Sequence, residues 1–412
     1  MVEGFLDEKP FEGLNVIDFT WAGVGGFECN YLAYYGATVV KVESATRPDI
    51  TREGGLGNRT SGEGNLEKGT TFALTHPVKK YSIRLNIKLP EAVAVFRRLV
   101  SWSDVLVESF TAGTVERLGL GYEELKAIKP DIIMCRTNGM GHTGPMAAQP
   151  GFGMTWTALT GLHAVAGWPD RLPVPISSYY TDHLAPPLGG LALIAAIDYR
   201  RRTGKGQCID QSQVESGFAY TGPLILDYTV NGRDLALTGN KCDDAAPHGA
   251  YRCKGQDRWV AIGVFTDAEW DSLCRVIGNP DWTREPRFST ISNRVNNSDD
   301  LDRLMGEWTV NFTAEQVMSM LQAAGVSAGV VATAQDSEED PQLKHYEFFK
   351  EFDHPYLGRL NFYHPPPFKL SRARAERARP TLLGEETERV CKEFLGMSKD
   401  EFDALAQKNV FD

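Results

Sequence analysis

Hydrophobic positions in the first third of the chain follow two alternating rhythms. Short β-branched runs (Asn15–Phe19, Thr38–Glu43, 81–86, 104–107 and 131–135) predict strands. Between them, apolar residues recur at helical spacing over 25–35, over the stretch that Pro90 opens (Val93, Phe96, Leu99, Val100) and over Tyr122–Ile128. Strand–helix alternation of this kind predicts an α/β fold with a doubly wound, mostly parallel sheet.

The pattern then changes. Residues 136–182 are rich in Gly, Pro and aromatics and read as loops lining a site. Helical spacing returns over 184–202 and 212–228, with Gly204 placed to cap the first of these. A second set of elements, with Trp259–Gly263 as a strand, spans about 225–335. The expected organisation is therefore a large domain over 1–224, a smaller α/β domain over 225–335, and a return to the large domain over 336–412. Segment 352–380 reads as extended, and 385–394 as helical.

Composition narrows the function. The chain has 412 residues, 42% hydrophobic and 24% charged, with a formal net charge of −11. That balance suits an ordinary globular protein and argues against nucleic acid as the main partner, which needs a basic footprint. Seven scattered cysteines, in no CxxC or Cys/His pattern, predict free thiols, a cytoplasmic setting and no metal site. No run is long and apolar enough to predict a membrane span.

Asp182 is the leading candidate for chemistry. It stands between the aromatic, Gly-rich stretch 151–167 and the apolar run 184–197. A carboxylate in such a setting is either a structural cap or a group poised by partial desolvation to act as nucleophile or base. Trp21, Phe152, Trp156, Tyr179 and Tyr180 cluster around the same region; each could be core, and jointly they suit an apolar acyl pocket. Gly23, Gly25 and Gly26 form a tight strand-to-helix turn, but Glu28 stands where a dinucleotide fingerprint needs another Gly. A Glu there would also repel a pyrophosphate from the helix N-terminus.

These residues sit within a series of motifs, in order along nearly the whole chain: 13–20 (GLNVIDFT), 35–43 (YGATVVKVE), 79–88 (KKYSIRLNIK), 107–110 (VESF), 117–122 (RLGLGY), 139–145 (GMGHTGP), 202–207 (RTGKGQ), 239–240 with 247–249, and 383–385 (LGE). In them the chain resembles the class III coenzyme A transferases, formyl-CoA and carnitine CoA-transferases among them. The resemblance implies a large domain built from both chain ends, a small domain, and two chains interlocked as a dimer. It places the nucleophile on Asp182 and coenzyme A contacts on Ala22, Gly23, Val24, Leu85, Lys88, Phe110 and Arg117. It implies coenzyme A and acyl-CoA as substrates, with no tightly bound cofactor and no metal.

The implied route runs through an aspartyl-acyl anhydride and an aspartyl-CoA thioester, with residues 239–249 as a candidate cover. Two positions depart from the family pattern: Ser44 replaces a common basic residue, and Ser109 a common Asn. Acyl-CoA racemases of the same superfamily place a catalytic His where this chain has Phe152, which cannot relay a proton. A supporting subunit of a heteromer is a further alternative. For substrates, the aromatic residues point to succinyl-CoA with a bulky or aryl acid such as benzylsuccinate, and Arg47, Arg52 or Arg171 could hold a distal carboxylate.

Overall fold

A computed structural model describes residues 8–53, 72, 76, 78–175, 179–362 and 366–412. The chain divides into two compact units. The first comprises the described residues through Leu162, Pro175–Gly232 and His345–Asp412; the second comprises His163–Val174 and Arg233–Lys344.

The first unit is built on six strands: β1 (Asn15–Phe19), β2 (Thr38–Glu43), β3 (Tyr81–Arg84), β4 (Val105–Glu108), β5 (Ile133–Asn138) and β6 (Cys208–Ser212). They form one parallel sheet in the order β3-β2-β1-β4-β5-β6. Alternate residues along each strand feed opposite faces. Ile17, Val40, Ile83, Leu106 and Met134 pack on one face with Phe96 and Leu99 of α2 (Pro90–Trp102). Val16, Val39, Val105, Val107 and Ile133 pack on the other with Leu32 of α1 (Val24–Tyr34). Val390, Cys391, Met397 and Val410 join the first core, so the last part of the chain returns to the unit that holds the first.

Further helices of this unit include α3 (Tyr122–Ile128), α4 (Gly153–Leu159), α5 (Tyr180–Thr203) and α6 (Gln213–Asn231). Two of them differ from the sequence expectation. Residues 153–159 are helical inside a stretch read as loop, and α5 starts at Tyr180 rather than near 184. Pro186 and Pro187 lie inside α5. Both stand beyond the first turn, so they leave the carbonyls of Asp182 and His183, four residues back, without their helical N–H partner. Strand β6 has no counterpart in the sequence expectation: its polar, half-exposed sequence suits an edge position. Residues 350–362, expected to be merely extended, form an antiparallel hairpin.

In the second unit, β7 (His248–Arg252), β8 (Trp259–Gly263) and β9 (Ser327–Val330) make an antiparallel sheet. It is backed by α7 (Asp267–Val276), α8 (Ser298–Thr309) and α9 (Ala314–Ala323) around Trp270, Phe288 and Leu321. Among the described residues, no helix is long and apolar enough to cross a membrane.

Beneath the carboxyl end of β1 lies a charged cluster sealed from solvent. Asp18 pairs with Lys80 at 2.7 Å and with Lys41 at 3.7 Å, all three buried. Lys41 also donates to the Thr20 carbonyl and lies 3.7 Å from Asp49. Lys80 donates to the Gly26 carbonyl, at 3.0 Å. Burial opposes the Asp18 charge, yet the Lys41 and Lys80 ammonium groups hold its carboxyl well below the usual range. Removing one member of a buried pair leaves the others uncompensated. Asp18→Asn should therefore lower unfolding free energy by roughly 3–5 kcal/mol in a denaturant titration, whereas a shift well under 1 kcal/mol would mean the two lysines re-solvate freely.

Candidate active site

In an open parallel sheet, a crevice forms outside the strand carboxyl ends where the strand order reverses. Here that point lies between β1 and β4, which neighbour each other while β2 and β3 extend the other way. A cleft of about 680 Å³ opens there. Its walls come from the segments that follow β1, β2, β3 and β4, and from the starts of α4, α5 and α6.

The segment after β1 carries Trp21, Ala22, Gly23 and Val24, all four on the cleft wall. Ala22 has φ of 62°, a left-handed conformation costly for a residue with a Cβ. Hydrogen bonds hold it there. The Trp21 N–H donates to Ser109 Oγ at 2.8 Å, and the Ser109 hydroxyl donates back to the Trp21 carbonyl at 3.0 Å. Ser109 thus clamps the turn from the neighbouring strand. The Ala22 N–H donates to Asp49 Oδ1, and the Trp21 indole N–H to the Pro48 carbonyl.

Leu85 and Lys88 follow β3, and Phe110 follows β4; all three line the cleft. The Phe110 N–H donates to Glu108 Oε2 at 2.7 Å, and its ring packs on Phe19. Arg117 lines the cleft beside Thr114, and the Arg47 guanidinium lies 4.9 Å over the Trp21 ring. The cleft wall therefore carries Lys88, Arg117 and Arg47, three cations suited to phosphate oxygens. Ser44 lines it too, and donates to Asp412 Oδ2 at 2.7 Å. Of the other arginines considered for a distal carboxylate, Arg52 is buried against Glu43 at 2.7 Å, and Arg171 pairs with Asp170 in the second unit.

Phe152, Gly153, Trp156 and Asp182 line the cleft as well. Asp182 occupies the first turn of α5, and its carboxyl lies against Gly153: a Cβ on Gly153 would come within 2.7 Å of both Asp182 Oδ1 and the Tyr179 Cβ. The hydroxyls of Thr157 and Thr181 both donate to the Gly153 carbonyl, at 2.6 and 3.2 Å, which fastens α4 to α5 at this spot. Trp156 is buried, seated where a Cβ on Gly139 or Gly151 would run into its indole. Among the described residues, no hydrogen bond or ion pair reaches the Asp182 carboxylate. Burial alone pushes it up to about 7. A carboxylate without partners, opening on a cleft at one edge and enclosed elsewhere, keeps its lone pairs available for attack on carbon.

Tyr179 and Tyr180 stand at the start of α5 but do not line the cleft, and Tyr180 is exposed. Residues 239–249, read as a cover, belong to the second unit. Gln213 lines the cleft and was missed; it follows the edge strand β6, which carries no alternating apolar signal. Glu28 is fully buried rather than facing the helix N-terminus.

A family model described as CoA-transferase family III matches residues 11–387. The chain is 32% identical over 405 residues to the succinyl-CoA–D-citramalate CoA-transferase of Chloroflexus aurantiacus, covering 98% of each chain. It is 30% identical over 413 residues to the beta subunit of succinyl-CoA–L-malate CoA-transferase from the same organism, covering 99% of this chain and all of that one. A crystal structure of a CAIB/BAIF family protein from Brucella suis superposes with a TM-score of 0.84 at 28% identity, covering 94% of this chain and 100% of that one. The parallel sheet, the cleft at its switch point and the length of these matches agree, and the chain belongs to CoA-transferase family III.

Proposed function

We propose that this protein moves coenzyme A from succinyl-CoA to a second carboxylic acid, with Asp182 as the nucleophile. The observation that carries this reading is the Asp182 carboxylate, unpartnered among the described residues and desolvated at the wall of a cleft that Lys88, Arg117 and Arg47 also line. Coenzyme A lies along Ala22–Val24, Leu85 and Phe110, with its phosphates toward Lys88 and Arg117. The succinyl donor is supported by the names of the two C. aurantiacus relatives, both succinyl-CoA-dependent.

The chemistry then needs no net proton transfer. An Asp182 oxygen attacks the thioester carbonyl, the C–S bond breaks, and coenzyme A leaves as thiolate from an aspartyl-acyl anhydride. The thiolate attacks the aspartyl carbonyl and expels the donor acid as carboxylate, leaving aspartyl-CoA. The acceptor carboxylate attacks this thioester, and the same two steps run in reverse. Each step exchanges one activated acyl bond for another, which is what covalent catalysis provides. A racemase reading is not favoured, because Phe152 at the cleft wall has no proton to relay.

Two acceptor classes have support. The relatives named above act on citramalate and malate, which favours a short dicarboxylic acid. Phe152 is 42% exposed and stands with Trp21 on the wall, which favours an aryl acid such as benzylsuccinate. Leu188, Leu191 and Ile194 of α5 and Ile225, Leu226, Tyr228 and Val230 of α6 are exposed apolar side chains, and they support a dimer. The beta-subunit relative leaves a heteromer with a related chain as the second assembly.

Incubation with succinyl-CoA should give, by intact mass, a coenzyme A adduct absent in Asp182→Asn; borohydride should then release the coenzyme A and leave residue 182 reduced to the alcohol, which maps the site. A folded, coenzyme A-binding wild type that gives no adduct would remove Asp182 from the role. The nucleophile must be ionised, and its carboxyl is raised to about 7, so the charging rate should climb through neutrality and level off at roughly pH 8; a rate flat from about pH 5 upward would contradict this. Gly153→Ala should cut charging by about a hundredfold while leaving coenzyme A affinity nearly intact, because the added Cβ meets the Asp182 carboxyl and none of the cleft's cations. Analytical ultracentrifugation should show a dimer that Leu191→Glu with Leu226→Glu converts to monomer, and a monomeric wild type would dispose of the assembly.

A further inference from the structure

Glu28 lies on α1, one turn beyond the Trp21–Gly23 segment, and is fully buried. The Cys135 thiol of β5 donates to its Oε2 at 3.5 Å. Its Oε1 has no hydrogen-bond partner, and neither has Gln211 Oε1, from β6. Both oxygens face the same point, since a Cβ on Gly189 of α5 would lie 2.4 Å from Gln211 Oε1 and 2.5 Å from Glu28 Oε1. Turning the Gln211 amide over does not resolve this, because its Nε2–H already donates to the Ala185 carbonyl at 2.7 Å. Neither buried oxygen has a donor; a protonated carboxyl supplies one directly, and the Thr137 hydroxyl, itself without a partner, is the other donor at hand.

We propose that Glu28 is a positioning residue: held as the neutral acid, it donates its carboxyl proton to Gln211 Oε1, and so fixes the start of α5, with Asp182, against the helix that follows the Trp21–Gly23 segment. The path is short. Glu28 holds Gln211, Gln211 holds Ala185, and Ala185 is one turn from Asp182. The groups facing Glu28 are Cys135 and Thr137 from β5, Gln211 from β6, Asp18 from β1 and Gly189 from α5, with Cys29 and Tyr31 beside it on α1. None is a cation. Burial, then the Asp18 charge, push the Glu28 carboxyl up to about 8, and the hydrogen bonds from β5 only partly offset them. A neutral Glu28 also removes the repulsion that its place after the glycine turn suggests. The functional half of this inference rests on Asp182 as nucleophile; the proton itself does not.

Infrared difference spectra of wild type against Glu28→Gln near neutral pH should show the C=O band of a buried carboxylic acid. That band should move in Gln211→Met, which removes its acceptor, and fade as pH passes about 8. Glu28→Ala should slow charging of Asp182 about tenfold, and Glu28→Gln, with an N–H in place of the O–H, should restore it. The folded chain keeps a proton that the unfolded chain releases at its ordinary value of 4.5. The stability of wild type relative to Glu28→Gln should therefore decline as pH rises from about 4.5 to about 8. No carboxylic band, a band indifferent to Gln211→Met, or equal charging in Glu28→Ala and wild type overturns the proposal. The infrared bands do not depend on Asp182 reacting. A wild type that forms no adduct therefore defeats the nucleophile reading, while the bands still decide for or against the Glu28 proton.

Discussion

The Asp18 carboxylate is the constraint on which the site is built. It stands near the end of β1, sealed from water, and is balanced only because Lys80 of the third strand's approach and Lys41 of β2 reach it from the side. Those lysines do more than neutralise. Each spends further N–H groups on carbonyls of the turn and helix that follow β1, at Thr20 and Gly26. The loop conformation is thus set from below by charge and from above by Ser109 and Asp49. A left-handed alanine on the cleft wall survives because both sets of contacts specify it.

Much of the fold was legible in the sequence because the strands of this sheet are buried on both faces. Near-continuous β-branched runs such as Val39–Val42 have no other stable home. What escaped the pattern did so for local reasons. Strand β6 is an edge with polar residues, α4 is two turns in a Gly-rich stretch, and the start of α5 was hidden by a proline pair that normally signals a helix end. The motif carry-over named Asp182, Lys88, Phe110 and Arg117, which line one cleft; of the aromatics chosen for their clustering along the sequence, Trp21, Phe152 and Trp156 line it and Tyr179 and Tyr180 do not. Neighbourhood along a chain is a weak guide at a helix start, where successive side chains fan out through about 100°.

Lys88, Arg117 and Arg47 line the cleft as exposed side chains, partly hydrated and suited to a polyanion. At Asp182 no charged group or hydrogen bond among the described residues offsets the desolvation, so a charge there is costly. A single cation beside it would have stabilised the anion and blunted it in the role proposed for it. Pairing was available to nearly every other buried carboxylate of this unit, Asp18, Glu43 and Glu108 among them, and it was taken.

Trp156 bears on how this protein's substrate range can change. Its indole fills a slot that exists because residues 139 and 151 have no side chains, and those glycines leave it no alternative seat. The ring acts as a plug in the cleft wall. Shortening it would hand its volume to the bound molecule without altering the backbone that carries Asp182, whereas enlarging either glycine would drive the plug into the cleft. On the function proposed above, the room for an acyl group would be adjustable at these three positions without touching Asp182.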